Sequence, residues 1–471
     1  MQLPESFIIR TQNLLKEEYP AFEEAIQKEQ SVSVRLNPAK SSVTLAEEPV
    51  LWSTNSYYMQ ERPSFTFDPL FHAGVYYVQE ASSMFLDRVI RQYVDSSVRY
   101  LDLCASPGGK TTLAIAALPS GSLVVGNEID RKRCHILAEN ITKWGNPASM
   151  VMNNQASDYT HLTHFFDVIL TDVPCSGEGM FRKDPQAISE WSEANVLNCA
   201  NRQKSILNDI WSALRPGGLL IYSTCTYNTE ENEEMVEYIR SELGAEVLPV
   251  DVDPAWGIHP VLKGDNPVYR FMPHVTRGEG LFMAVLRKNE DEVEERSALL
   301  RDFQKKSQKK GKKEAKKEQP KAFPNEVKNW IKNPAEYLFE VKGDKLIAYP
   351  KKYAEEMKML AHDLHPLTEG LVLGSFKGKD VIPDHALALS SELNRDAFEV
   401  AALDWESAIT YLRRESVVLS PEVSKGFVLL TYKEYPLGWV KNIGNRSNNL
   451  YPQEWRIRSG YNPEEFIPVI K

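Results

Sequence analysis

The chain has 471 residues, 42% of them apolar and 25% charged, which excludes wholesale disorder and leaves room for about three domains. No apolar run approaches the ~20 residues of a membrane-spanning helix, and the opening MQLPESFIIR carries no export signal, so a soluble, cytoplasmic protein is expected. A formal charge of -10, from 55 Lys plus Arg against 65 Asp plus Glu, taken alone argues against a nucleic-acid partner.

In chain order, residues 3–30 are polar and helix-like, and Val32–Leu36 alternates as a half-buried strand that ends at Asn37-Pro38. From residue 98 the texture changes. Apolar runs at 98–104, 123–127, 150–152, 168–171 and 219–223 alternate with amphipathic stretches at 110–118, 131–144, 195–214 and 230–243. Continuous apolar strands alternating with helices predict a parallel sheet covered on both faces. Gly217-Gly218 reads as the stop of the helix before the fifth strand, and Leu281–Leu286 as a last strand. Residues 290–295 are then almost all acidic, and residues 305–321 hold nine Lys against two Glu. Blocks of this kind predict a solvated linker. Beyond it, Leu346–Tyr349 and Gly426–Tyr432 read as strands and Trp405–Glu415 as a helix. The boundaries expected are 1–75 for a small N-terminal domain, 76–289 for the α/β domain, 290–325 for the linker, and 326–396 and 397–471 for two C-terminal domains.

The five cysteines, Cys104, Cys134, Cys175, Cys199 and Cys225, all fall inside the α/β segment. An odd number without repeated spacing predicts reduced thiols and no disulfide. No His or Cys spacing matches a zinc site, so no metal is expected. The first strand leads into Cys104-Ala105-Ser106-Pro107-Gly108-Gly109-Lys110, a small-residue loop that lets backbone approach a ligand at a helix N-terminus. The G-x-G-x-x-G fingerprint of dinucleotide binders is missing, as is the first glycine of a phosphate-binding P-loop; a plain strand-to-helix turn is the competing reading. The second strand ends at Glu128, placed to accept ribose hydroxyls. The fourth runs into Asp172-Val173-Pro174-Cys175 and the fifth into Thr224-Cys225. Neighbouring strands lie ~4.8 Å apart, so both thiols can face one pocket. Single free cysteines are more often packing residues; two at equivalent strand ends, one beside an Asp, point to chemistry.

Asp102–Thr111 (DLCASPGGKT), Asp172–Gly177 (DVPCSG) and Tyr222–Tyr227 (YSTCTY) resemble three signature motifs of the NOL1/NOP2/Sun RNA cytosine-C5 methyltransferases. Arg35-Leu36-Asn37, Gln79–Ser83 and Pro273-His274 add supporting matches, and Gly177–Lys183 with the C-terminal tail is similar to the bacterial RsmF-type branch, which modifies 16S ribosomal RNA. The resemblance implies a Rossmann-like class I methyltransferase core, a small α+β N-terminal domain and PUA-like, β-rich C-terminal RNA-binding domains. It implies Cys225 as the nucleophile toward C6 of cytosine, Cys175 as the group assisting C5 deprotonation and release, and Asp172 on the N3/N4 edge of the base. S-adenosylmethionine is the implied methyl donor, held by Cys104–Lys110 with its ribose on Glu128. Where the family has an adenosine-contacting Asp, an ungapped count reaches Asn154, with Asp158 as the alternative. The implied partner is 16S rRNA or the small ribosomal subunit, met by a monomer. Transfer RNA as substrate, or an RNA-binding assembly factor with a vestigial core, are the alternatives. A nicotinamide-dependent dehydrogenase is disfavoured by the missing fingerprint. Between Tyr432 and Arg458, five basic residues (Lys433, Lys441, Arg446, Arg456, Arg458) interleave with Tyr432, Tyr435, Trp439, Tyr451 and Trp455, a pattern that can grip phosphates and stack on bases; a small β-domain with an aromatic core is the plainer reading.

Overall fold

The structure, a computed structural model, describes residues 2–289, 299–301, 303, 323–378 and 380–471. The expected charged linker therefore lies almost wholly outside the described residues. Two helices, α1 (Glu5–Leu15) and α2 (Tyr19–Ile26), precede a small antiparallel sheet ordered β2-β3-β1-β4. Its strands are β1 (Val32–Leu36), β2 (Glu48–Pro49), β3 (Ser56–Met59) and β4 (Tyr76–Val78), with α3 (Pro69–His72) before the last.

After α4 (Leu86–Tyr93) comes the large central sheet. Its parallel strands are β5 (Arg99–Asp102), β6 (Leu123–Asn127), β7 (Ser149–Met152), β8 (Phe166–Asp172) and β9 (Leu214–Thr224). The connections carry α5 (Gly109–Ala117), α6 (Arg131–Trp144), α7 (Pro185–Glu190), α8 (Glu193–Trp211) and α9 (Glu233–Glu242). Strands β10 (Ala245–Leu248), β11 (Tyr269–Phe271) and β12 (Leu281–Lys288) complete one side, in the order β10-β12-β9-β8-β5-β6-β7. Tyr100, Val124, Val168 and Ile221 face one core with α4 and α5. Their neighbours Leu101, Val125, Ile169 and Leu220 face the other, with α8 and α9. That strict alternation is the period of two acting on a sheet buried on both sides. The strand order turns around at β5, so the carboxyl ends of β5 and β8 flank the crevice where such sheets bind ligands.

The Gly217-Gly218 pair differs from its expected role. The α8 helix stops at Trp211, and the pair lies inside β9, where the β8–β9 register shifts. Gly217 takes φ +67°, and a Cβ on Gly218 would sit 2.8 Å from the Arg215 carbonyl, so the pair makes a bulge rather than a helix stop.

The C-terminal part has two further sheets. The first holds β13 (Tyr337–Lys342), β14 (Lys345–Pro350), β16 (Leu371–Lys377) and β17 (Asp380–Pro383). Between β14 and β16, the helix Ala354–Asp363 packs on the core of the central sheet through Met357 and Leu360, and β15 (Pro366–Thr368) pairs antiparallel with β7. A strand from this unit thus extends the central sheet. The second holds β18 (Glu399–Ala402), β19 (Gly426–Tyr432), β20 (Tyr435–Asn442) and β21 (Ser447–Asn449). Its core is shared with the N-terminal sheet: Val34, Leu36 and Tyr76 pack in one cluster with Tyr411, Val428 and Leu430.

This packing corrects the reading of Tyr432–Arg458 as an aromatic stacking surface. Tyr432 and Trp439 are core residues because the pleat of β19 and β20 turns them inward, Tyr451 after β21 is buried against Tyr411, and the Trp439 indole donates to the Asp384 carbonyl at 2.8 Å. Lys433 donates to the Ile470 carbonyl at 3.1 Å and Lys441 reaches Asp380 at 3.4 Å. Arg446 and Arg458 remain exposed to solvent.

Candidate active site

Three strand ends build the site. Asp102 ends β5 and pairs in register with Leu170 of β8, while Asp172 ends β8 opposite Ser223 of β9. Beyond β5, Gly108 takes φ +114° and Gly109 opens α5. A Cβ at Gly108 would come within 3.3 Å of Leu137, and one at Gly109 within 3.4 Å of Tyr77. The left-handed φ at Gly108 calls for glycine, and the missing Cβ at Gly109 leaves the helix entrance uncovered. Arg35 of β1 braces the helix from behind. Its buried guanidinium donates to Thr112 Oγ1 at 2.7 Å and to Gln79 Oε1 at 3.0 Å, and lies 4.5 Å from the Trp144 ring. Burial pulls that guanidinium down to about 9.

Asp102 accepts from the Thr111 hydroxyl at 2.6 Å through Oδ2, and its buried Oδ1 has no partner among the described residues. Burial lifts this carboxyl to about 7. Asp172 has both oxygens engaged: Lys110 Nζ lies 2.7 Å from Oδ2, and Ser223 donates to Oδ1 at 2.6 Å. Burial alone would push Lys110 down; the Asp172 charge and hydrogen bond outweigh it and raise the ammonium.

Cys175 and Cys225 come together, Sγ to Sγ at 3.2 Å. The hydrogen bond to Cys225, and after it burial, push the Cys175 thiol well above its ordinary range. A buried polar network fixes the two loops. Glu231 accepts from the Ser176 amide at 3.0 Å and Gln203 Nε2 at 2.8 Å. Glu178 accepts from the Thr226 hydroxyl at 2.6 Å and from the amides of Tyr227 and Asn228 at 2.7 and 3.0 Å. Gly179 donates its amide to the Cys225 carbonyl at 2.8 Å. Each carboxylate bridges the segment after β8 to the segment after β9, so the separation of the cysteines is set by groups that cannot move independently.

Cys104–Pro107, Gly109, Lys110, Asp172 and Cys225 line one cavity of about 340 Å³, closed on the far side by Tyr77, Gln79, Glu80, Met180, Lys183 and Glu279. Cys175 sits behind Cys225. Glu128 and Asn154 stand at the ends of β6 and β7, outside this cavity. Glu128 is buried and accepts from the Asp130 amide at 2.9 Å. Asn154 donates to Asp158 at 2.9 Å, and its Oδ1 accepts from the His365 amide at 2.9 Å. Cys134 and Cys199 are buried away from the site, and all five thiols are free. Ser223, Glu178, Glu231 and His365 were not singled out from sequence. The first three lie within nine residues of a motif cysteine, but their roles depend on contacts across two loops.

Residues 93–287 match the family model for the 16S rRNA methyltransferase RsmB/F, residues 3–81 the N-terminal domain of 16S rRNA methyltransferase RsmF, and residues 398–457 the methyltransferase RsmF PUA domain. Over 97% of both chains, this one is 28% identical to ribosomal RNA small subunit methyltransferase F of Erwinia tasmaniensis and to that of Serratia proteamaculans. The enzyme of the same name from Vibrio parahaemolyticus is 32% identical over 61% of this chain and 63% of its own. Among solved structures, a methyltransferase homolog from Pyrococcus horikoshii aligns with TM-score 0.52 and 25% identity, covering 60% of this chain and 95% of that one. NSun6 from the same organism aligns with TM-score 0.51 and 19% identity over 61% and 99%, a likeness of fold.

Proposed function

Because the chain belongs to the RsmF-type family of 16S rRNA methyltransferases, we propose that it methylates C5 of a cytidine in 16S rRNA through a covalent bond from Cys225 to C6. The observation that carries this reading is the opening of Cys225, Asp172 and the glycine loop into one cavity, with Cys175 3.2 Å behind the nucleophile.

S-adenosylmethionine supplies an electrophilic methyl group to this site. Two features suit it: the unpartnered Asp102 Oδ1, and the two glycines that keep side chains out of the α5 entrance. Cys104–Lys110 would hold its amino-acid end and Glu128 its ribose, with Asn154, bonded to Asp158 and His365, on the adenosine side.

C5 of cytosine is a weak nucleophile inside an aromatic ring. Addition of the Cys225 thiolate to C6 breaks the aromaticity and makes C5 an enamine-type carbon. Negative charge then builds on N3. Asp172 holds the Lys110 ammonium 2.7 Å away, a cation that biases this edge of the pocket against that charge. Bonding Cys225 to C6 removes the hydrogen bond that, ahead of burial, raises the Cys175 thiol. Cys175 sheds its proton to solvent and accepts the C5 proton after methylation. The C5–H electron pair re-forms the C5=C6 bond, and the Cys225–C6 bond breaks to return the thiolate. The base must leave its stack to enter, at a cost of a few kcal/mol. The reaction runs in the cytoplasm on rRNA.

Cys175→Ala provides the direct test. It is expected to accumulate a protein–RNA adduct through Cys225 that survives denaturing electrophoresis, and bisulfite mapping of 16S rRNA from cells with and without the protein should locate the modified cytidine. Finding no adduct, together with unchanged 5-methylcytidine in 16S rRNA from cells lacking the protein, would overturn the proposal.

A further inference from the structure

We propose that Glu18, His259 and His274 form a binding site for one divalent transition-metal ion of the zinc type, which ties the N-terminal helices to the loop behind Cys225. The three donors come from separate places: Glu18 from the turn between α1 and α2, His259 from the loop before β11, and His274 from the loop after it. Nε2 of His259 lies 3.1 Å, and Nε2 of His274 2.9 Å, from the same Glu18 oxygen, and one donor atom from each residue falls within 4.8 Å of the others.

The converging donor atoms and the contacts behind them carry the argument. His259 Nδ1 is 2.9 Å from the Pro260 carbonyl, which can only accept, so the ring proton is on Nδ1. In the neutral imidazole Nε2 is then a lone pair, aimed at a carboxylate oxygen. A metal ion there would take the Nε2 lone pair and the carboxylate oxygen together; without one, a second ring proton on His259 joins them as a hydrogen bond. An outer Nδ1–H···O=C bond of this kind is what orients a metal-ligating histidine. The His274 side chain is only 4% exposed, and its Nδ1 has no partner among the described residues, so nothing pins its proton to Nε2.

Two imidazoles and one carboxylate suit zinc and its neighbours, while magnesium and calcium take oxygen ligands. Metal bonds of roughly 2.0–2.2 Å separate tetrahedral ligand atoms by about 3.3 Å. The donors must therefore open by a few tenths of an ångström, which the half-exposed Glu18 can provide. The ion would act on structure and take no part in the reaction. His274 stacks edge-on against Phe22 at 5.9 Å, and Phe22 against Tyr227 at 5.2 Å, two residues beyond Cys225. No spacing motif reveals the site, since Glu18 is 241 residues from His259.

The test uses the full chain stripped of metal and titrated with Co²⁺ alone, followed by visible absorption and by calorimetry with Zn²⁺. One equivalent is expected, with d–d bands of nitrogen and oxygen ligation and without the intense thiolate charge-transfer band that binding at Cys175 and Cys225 would add. Glu18→Gln, on an exposed turn, and His274→Ala should each weaken binding at least tenfold, with circular dichroism confirming the fold. Absent d–d bands, a thiolate band alone, or equal affinity in wild type and Glu18→Gln would overturn the site and leave a proton bridging His259 and Glu18.

Discussion

Replacing Gly179 by alanine asks whether the position of Cys225 is set by backbone packing. A Cβ there would sit 2.9 Å from the Cys225 carbonyl oxygen, 3.2 Å from that of Gly280 and 3.3 Å from that of Glu279. All three obstacles are main chain, so no side chain can swing aside. Ordinary contact begins near 3.4 Å, so the Cys225 strand end must retreat by about half an ångström. The retreat also stretches the 2.8 Å bond from the Gly179 amide to that carbonyl, a loss of about 1 kcal/mol. Overpacking of this kind costs ~1–3 kcal/mol of stability. Because ~1 Å of misplacement can cost about 10²-fold in rate, half of it should slow the chemical step about tenfold. The assay is single-turnover transfer of labelled methyl to unmodified 16S rRNA, with calorimetry for S-adenosylmethionine and a thermal melt alongside. Methyl-donor affinity should be unchanged, since Gly179 closes the side of the cavity away from the Gly108 loop. Gly460→Ala, which meets nothing within 4 Å, is the neutral control. A Gly179→Ala rate within twofold of wild type in a folded protein would refute the reasoning.

Cys225→Ala should abolish transfer while calorimetry finds donor binding intact; retained turnover would remove Cys225 from its role. His365→Ala removes the ring 3.1 Å from Asn154 Nδ2 and should raise KM for S-adenosylmethionine severalfold with little change in kcat or RNA affinity; an altered RNA affinity with unchanged KM would mean that β15 serves RNA instead. Burial lifts the Asp102 carboxyl from about 4 to about 7, so the folded chain keeps a proton that the unfolded chain releases. Stability from this group is complete below pH 4 and declines as the pH rises to 7. Asp102→Asn should flatten that decline in denaturant titrations, and an unchanged slope would contradict the assigned protonation.

The sequence was most legible where one local rule acts. The β5-to-α5 loop, the Glu128 strand end and the two cysteines after β8 and β9 all follow from strands alternating with helices, and the described helices and strands of residues 98–288 lie close to where periodicity predicts them. It failed where tertiary context overrides local sense. Gly217-Gly218 reads as a helix stop but is a bulge, because β9 begins earlier to pair with β8. Tyr432 and Trp439 read as a stacking surface or a core, and the pairing of β19 with β20 decides between them. Glu178 and Glu231, exposed types by composition, are buried because they bridge loops that meet only in the folded chain.

The cluster shared by the N-terminal sheet and the final sheet closes the chain on itself. Trp405 donates to the Phe67 carbonyl at 2.9 Å and Ser64 to that of Ile467 at 3.0 Å, so residues some 340 and 400 apart form one continuous wall. With β15 stitched to β7 as well, each half of the polypeptide is gripped by the other at two places that do not involve the connection between Lys288 and Phe323. A chain severed there would stay a single particle. The connection is thus one fastener among several, with Leu299, Leu300 and Phe303 packing on the same core.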